Sequence, residues 1–181
     1  PDLVYSPNAN QYLVAWQDDR NQATSGSDLY GQRVRADGTL LDQGNFPIST
    51  ATGAQGSVAV AYSPTSLQYL AVWADARTTD DIYGQRLHLL GIPVGYEFNL
   101  ASAIDSHRAP AVAYNSTDEE YFVVWCDDRN GDDEMDIWGQ RYTRGGLPLG
   151  ENIALQRQAG DDLSPVITYD PGWNRYLVVW E

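Results

Sequence analysis

Apolar residues in this chain fall in short runs, and Gly, Pro, Asn, Asp and Ser separate the runs. Within them the alternation has a period of two. In Tyr121-Phe-Val-Val-Trp-Cys126, residues Tyr121, Val123 and Trp125 share one face and Phe122, Val124 and Cys126 the other, and both sets are apolar. A strand of this kind must be covered on both faces. No segment sustains a period of 3.6, so the pattern predicts strands and turns with helices absent or trivial.

The pattern also repeats. Tyr5-Ser-Pro…Tyr12-Leu-Val-Ala-Trp16, Tyr62-Ser-Pro…Tyr69-Leu-Ala-Val-Trp73, Tyr114-Asn-Ser…Tyr121-Phe-Val-Val-Trp125 and Tyr169-Asp-Pro…Tyr176-Leu-Val-Val-Trp180 align without gaps, with 11 residues from Tyr to Trp each time. An acidic stretch follows each of the first three Trp residues, and then a box: Asp28-Leu-Tyr-Gly-Gln-Arg33, Asp81-Ile-Tyr-Gly-Gln-Arg86 or Asp136-Ile-Trp-Gly-Gln-Arg141. A fourth apolar element closes each unit at Phe46-Pro-Ile48, Phe98-Asn-Leu100 and Ile153-Ala-Leu155, always 16 residues before the next unit's Tyr. Each unit therefore reads as four short strands. Pro7, Pro64 and Pro171 sit in the first hairpin turns, and Gly38, Gly91 and Gly145-Gly146 in the second.

Four-stranded units with both faces apolar suit β-propeller blades, because each blade packs between two neighbours. The repeats are 52 to 57 residues long. The predicted fold is all-β: a propeller-like array of antiparallel blades in a single domain, residues 1–181, with units near 1–56, 57–109 and 110–164 and a partial unit at 165–181. A β-solenoid or sandwich is the alternative, but a sandwich would need polar outward faces on the second strands. Three units and a hairpin are expected not to close a ring, since propellers take about four to eight blades. A piece of a longer chain, strands supplied by another copy, or a small open array would each account for this. Pro1 as first residue, with no initiator Met or signal-like segment, fits processed ends or a piece of something longer.

The order Tyr-Ser-Pro, turn, Tyr-Leu-Val-Val-Trp, Asp-x-Arg, then Asp-Ile-Tyr resembles the TolB-type, WD-like β-propeller repeat of bacterial and archaeal periplasmic and cell-surface proteins. The likeness runs the length of the chain and implies a scaffold for protein interaction, ligand binding or display, and occasionally an enzyme domain. It implies a periplasmic, cell-surface or extracellular setting. The Gly-Gln-Arg box departs from the usual pattern, in which an apolar strand continues.

Composition narrows the partners. The chain has 181 residues, with 25 acidic and 11 basic side chains and a formal net charge of −14, which repels nucleic acid and anionic lipid and favours cations or neutral ligands. All 11 basic residues are Arg. A halophilic or extracellular source and simple genomic bias both account for the missing Lys. No run of about 18 apolar residues exists to span a membrane. The lone Cys126 excludes an internal disulfide framework and a multi-cysteine metal site.

Candidate chemistry follows the repeat. Asp18, Asp75 and Asp127 stand two residues after each Trp, and Arg20, Arg77 and Arg129 two further on; Asp28, Asp81 and Asp136 open the boxes that Arg33, Arg86 and Arg141 end. Copies in every unit point to a blade-level role, carboxylates bonding turn N–H groups or pairing with Arg forks, rather than a repeated ligand site. The loop 127–136 is dense enough in oxygen for Ca²⁺, with Asp128, Asn130, Asp132, Asp133 and Glu134 as candidate ligands, although Arg129 lies inside it and Gly131 comes too early for an EF-hand-type loop. A solvated acidic loop is the plainer reading.

Trp16, Trp73, Trp125, Trp138 and Trp180 are expected in the core, and Trp173, on a hairpin turn, is expected exposed and able to stack on a sugar or anchor a protein. Cys126 reads as a buried thiol, His107 as a loop residue, and Asn115-Ser-Thr117 as a weak glycosylation acceptor. Repetition without a unique catalytic constellation favours a non-enzymatic binding or display module that recognises a protein or glycan. The competing readings are part of a propeller-fold carbohydrate-active hydrolase or lyase, with Asp105, Asp132, Asp133, Glu134, Asp161 and Asp162 as its carboxylates, and a structural subunit that self-associates through its incomplete fourth blade.

Overall fold

The computed structural model describes every residue except Thr78, 102–106, 130–133 and Gln158, together with the side chain of His107. The strands are β1 (Asp2–Ser6), β2 (Gln11–Asp18), β3 (Asp28–Arg35), β4 (Phe46–Ser49), β5 (Gln55–Ser63), β6 (Gln68–Asp75), β7 (Asp81–His88), β8 (Pro93–Ala101), β9 (His107–Asn115), β10 (Glu120–Asp127), β11 (Asp136–Thr143), β12 (Pro148–Gln156), β13 (Val166–Asp170) and β14 (Arg175–Val179). They form three four-stranded antiparallel meanders, β1–β4, β5–β8 and β9–β12, and the hairpin β13–β14. No helix occurs among the described residues. This is the all-β, propeller-like array of blades that the repeat predicts. His107 is a correction: it opens β9 and does not lie on a loop.

The double-sided strands are what stack the blades. In β6, Tyr69, Ala71 and Trp73 join Leu13, Ala15, Leu29 and Ile48 of blade one, while Leu70 and Val72 join Val112, Tyr121, Val123 and Trp125 of blade three. The next interface packs Ala113, Phe122 and Val124 on Ile167, with Tyr169, Tyr176 and Val178 against them. Each fully buried large side chain contributes about 1.5–3 kcal/mol, so every interface is a separate apolar core.

Smaller devices recur with the same register. Cross-strand tyrosine pairs stand 5.0 Å (Tyr5–Tyr12), 5.1 Å (Tyr62–Tyr69), 5.1 Å (Tyr114–Tyr121) and 5.4 Å (Tyr169–Tyr176) apart between centroids. Phe46 and Phe98, from the outer strands, cap the turn glycines of the following blade: a Cβ on Gly91 would meet Phe46 at 2.7 Å, and one on Gly146 would meet Phe98 at 2.6 Å. Ser57, Ala109 and Ser164, at one repeat position, take φ of 50°, 47° and 51°, and in β5 and β9 this residue lies at a register shift. The bulge re-aims the start of each innermost strand.

Burial falls away at the two ends of the array. Leu3 and Tyr5 on one side and Val166, Leu177 and Val179 on the other are exposed, although their equivalents inside the array are buried or, at Ala111 and Tyr114, half-buried. Of the tryptophans expected in the core, Trp73 and Trp125 are fully buried, Trp16 and Trp138 are half-buried, and Trp180 is 40% exposed. The departure of Trp16 and Trp180 comes from position, since both sit in end units with no further blade against them. The self-association expected from the sequence would run through these end faces.

Candidate functional site

The Trp-x-Asp-x-Arg segment builds the same cluster three times at the β2–β3, β6–β7 and β10–β11 ends. Asp75 accepts from Trp73 Nε1 at 2.7 Å, from the Arg77 backbone N–H and Nε at 2.9 Å each, and from Arg77 Nη2 at 2.7 Å. Asp18 takes the same donors from Trp16 (3.1 Å) and Arg20 (3.0, 2.7 and 2.6 Å). Asp127 takes them from Trp125 (3.0 Å) and Arg129, whose Nη2 also pairs with it. The guanidinium then lies over the box aromatic: Arg20 over Tyr30 at 3.9 Å, Arg77 over Tyr83 at 4.0 Å and Arg129 over Trp138 at 4.2 Å.

A carboxylate holding an indole, a backbone amide and a guanidinium has its acceptor directions filled by protein. The geometry ties the end of each second strand to the third through charge-assisted bonds and a cation–π contact. Hydrogen bonds from Arg20 hold the Asp18 carboxyl well below the usual carboxylate range, and the Asp18 bond raises the Arg20 guanidinium.

The boxes are less uniform than their spelling. Asp28 accepts from Asn21 Nδ2 (2.7 Å) and Ser25 Oγ (2.9 Å), and Asp81 from Thr79 Oγ1 (3.0 Å) and Asn99 Nδ2 (3.2 Å). Asp136 is buried at the start of β11. Arg33 pairs with Asp42 at 2.5 Å, Arg141 approaches Glu120 at 3.6 Å, and Arg86 reaches Gln68 Oε1 at 3.5 Å. The Arg forks at the box ends thus meet neighbours from other strands and turns. Asp42, Glu97 on Arg77 (2.6 Å) and Asn45 on Arg20 (2.8 Å) are partners the sequence did not single out; Asn45 and Glu97 share one repeat position, just before Phe46 and Phe98, where the residue type changes between blades.

The innermost strands β1, β5, β9 and β13 converge on a cavity of about 350 Å³, lined by Leu3, Val58, Val60, Val112, Val166 and Ile167 among others. Among the described residues Asp2 is its one carboxylate, and both oxygens accept backbone amides, Oδ1 from Leu3 (2.8 Å) and Oδ2 from Val60 (2.8 Å). Near the start of β13 the β10–β11 loop meets the β12–β13 link. Glu134 Oε2 accepts from Gly160 N (2.9 Å), Asp161 Oδ1 from Met135 N (3.0 Å), and Asp162 N donates to the Met135 carbonyl (2.8 Å). Three of the candidate hydrolase carboxylates, Glu134, Asp161 and Asp162, are thereby gathered on adjoining segments. Asp105, Asp132 and Asp133 lie outside the described residues.

Of the candidate Ca²⁺ ligands, Asn130, Asp132 and Asp133 also lie outside the described residues. Asp128 is half-buried with Oδ1 lacking a hydrogen-bond partner, and the described residues contain no group of three or more His, Cys, Asp or Glu side chains placed to hold a metal ion. Trp173 is 76% exposed, with the Arg175 guanidinium 5.5 Å from its ring centroid. Cys126 is buried, and burial pushes its thiol up to about 11. Asn115 is a correction: the glycosylation acceptor of the sequence is buried, its amide donating to Asp118 and Asn174 (3.1 Å each).

No family model and no curated protein matches the chain. Solved propellers do. An endo-arabinase from Bacteroides thetaiotaomicron superposes with a TM-score of 0.67 at 16% identity, over 99% of this chain and 68% of that one. The Bacillus subtilis arabinanase gives 0.57 at 15% identity, over 99% and 72%. A thermostable family-43 glycoside hydrolase gives 0.65 at 10% identity, over 99% and 64%. At such identities these likenesses show the β-propeller fold alone. Nothing in them singles out the TolB or WD type.

Proposed function

We propose that this chain belongs to a carbohydrate-active propeller that engages a neutral polysaccharide of the arabinan or xylan kind. The observation that supports it most is superposition over 99% of the chain on propellers whose activity is arabinan or glycoside hydrolysis. The charge of −14 agrees with a neutral substrate. Glycoside hydrolysis needs two carboxyl groups flanking the scissile bond, one protonating the leaving oxygen and the other attacking the sugar or activating water. Glu134, Asp161 and Asp162 are the described carboxylates offered for those roles. The activity is tested by reducing-end release from arabinan and xylan: the chain should release ends, and Glu134→Gln with Asp161→Asn and Asp162→Asn should abolish release. An undiminished rate in that variant removes these residues from the roles.

A second reading, binding or display without turnover, is favoured by the occupied state of the carboxylates. Both oxygens of Asp2 and one each of Glu134 and Asp161 are already bound to backbone amides. The TolB-type character implied by the repeat would belong with this reading. Polysaccharide binding without released ends selects it.

A further inference from the structure

We propose that the pocket between blades two and three, at the hairpin-turn end of the strands, binds a carboxylate-bearing sugar, a hexuronate, with Arg86 as the anchor. It lies away from the acidic loops: Ser63 pairs with Gln68 and Gln68 with His88 at this end, whereas Asp75 pairs with Asp81 at the other. The proposal therefore stands apart from the function proposed above.

The surroundings of the box arginine differ across the three blades. In blade one Arg33 is neutralised by Asp42, with Nη2–Oδ1 at 2.5 Å and Nε–Oδ1 at 3.1 Å. In blade three Glu120 lies 3.6 Å from Arg141. Blade two has lost both acids: Gly95 occupies the Asp42 position and Gln68 the Glu120 position. A Cβ on Gly95 would stand 3.4 Å from Arg86 Nη2, so the guanidinium still points where the missing side chain would be. Among the described residues Arg86 has no carboxylate partner, and its hydrogen bond is the 3.5 Å contact to Gln68. A half-buried, uncompensated cation in a protein of charge −14 is a local exception.

A pocket surrounds it. The cavity holds about 390 Å³ and is lined by Thr65, Ser66, Gln68, Arg86, Arg144 and Gly145, within the size of small-molecule sites. Thr65 Oγ1 accepts from Tyr114 at 3.4 Å and Ser66 Oγ donates to Ser63 at 2.9 Å, which leaves hydroxyl lone pairs for a ligand. Among the described residues the Gln68 amide N–H groups have no hydrogen-bond partner and can donate to sugar hydroxyls. Arg144 is held by Glu119 at 2.7 Å in a pair about half exposed on both sides, a weak tether that an arriving anion can displace. One unpaired planar guanidinium matches a singly charged carboxylate in fork geometry, whereas phosphate brings nearly twice the charge.

The test is calorimetric titration of the full chain with sodium galacturonate, beside galactose and inorganic phosphate, using the wild type, Arg86→Gln and Gln68→Glu. Gln68→Glu restores the internal carboxylate of blade three without shortening a side chain, and a thermal melt of each variant checks its fold. Saturable galacturonate binding, about tenfold or more weaker in both variants, with galactose silent and phosphate weaker, is the expected result; tenfold is the loss of roughly one charge-assisted hydrogen bond. No saturable binding to the wild type, equal binding by folded variants, equal binding of galactose, or tighter binding of phosphate overturns the proposal. Each of these results is independent of reducing-end release from arabinan.

Discussion

Replacing Asp75 with Ala examines the repeated cluster in blade two, where the carboxylate has no exposed side-chain surface. The Asp75 side chain is fully buried and accepts four hydrogen bonds, from Trp73 Nε1 and three Arg77 donors. Truncation leaves the fully buried Trp73 indole N–H without its acceptor, which costs about 1–3 kcal/mol. It also removes one partner of a charge pair whose other member is 21% exposed. Breaking fully buried pairs costs about 3–5 kcal/mol. Arg77 keeps Glu97 at 2.6 Å and some solvent, so the charge contribution falls well below that range. A total near 3 kcal/mol follows, or a melting drop of about 6–12 °C at this chain length. Urea unfolding followed by tryptophan fluorescence reads it as a lower midpoint at unchanged slope. A loss below about 0.5 kcal/mol for Asp75→Ala, the range of an ordinary surface change, would refute the account of the cluster.

Three further outcomes are expected. Gly38 and Gly91 both have positive φ, 87° and 78°, but only Gly91 faces a ring of the preceding blade; Gly91→Ala should therefore destabilise by about 1–3 kcal/mol more than Gly38→Ala in the same urea assay. The Asp18 carboxyl is depressed in the folded state, so its contribution is present above the unfolded value and is lost as pH falls below about 4. The melting-temperature gap between wild type and Asp18→Asn should narrow between pH 5 and pH 2, and a gap that widens has the wrong sign. Cys126, buried with its thiol pushed up to about 11, should resist a thiol-disulfide dye at pH 8 until the chain is unfolded; rapid native labelling contradicts that burial.

The blade architecture was legible because its determinants are periodic. Tyr69, Ala71 and Trp73 against Leu70 and Val72 state two buried faces in five residues, and the Tyr-to-Trp spacing fixes the hairpin register. What the spelling could not show was composition at single positions across strands. Arg33, Arg86 and Arg141 look identical in their boxes, yet one meets Asp42, one Gln68 and one Glu120. Those partners lie on other strands and turns, and pairing across a sheet has no signature in one linear repeat. Position in the array was equally silent: Trp16 and Trp180 share the motif of Trp73 but not its burial, because the neighbouring blade decides how deep the ring lies. Asn115 illustrates the same limit at the end of β9, where the side chain spends its amide on Asp118 and Asn174.

Engagement of a glycan by this propeller is the claim on which both functional readings rest, and affinity electrophoresis measures it without requiring turnover. Native gels cast with soluble arabinan, with xylan and with no polysaccharide are run side by side, with an inert acidic protein as the mobility reference. Retardation of the chain, relative to that reference, in the arabinan or xylan gel is the expected result. Unchanged relative mobility in both polysaccharide gels, at concentrations that retard a known arabinan binder, would contradict it.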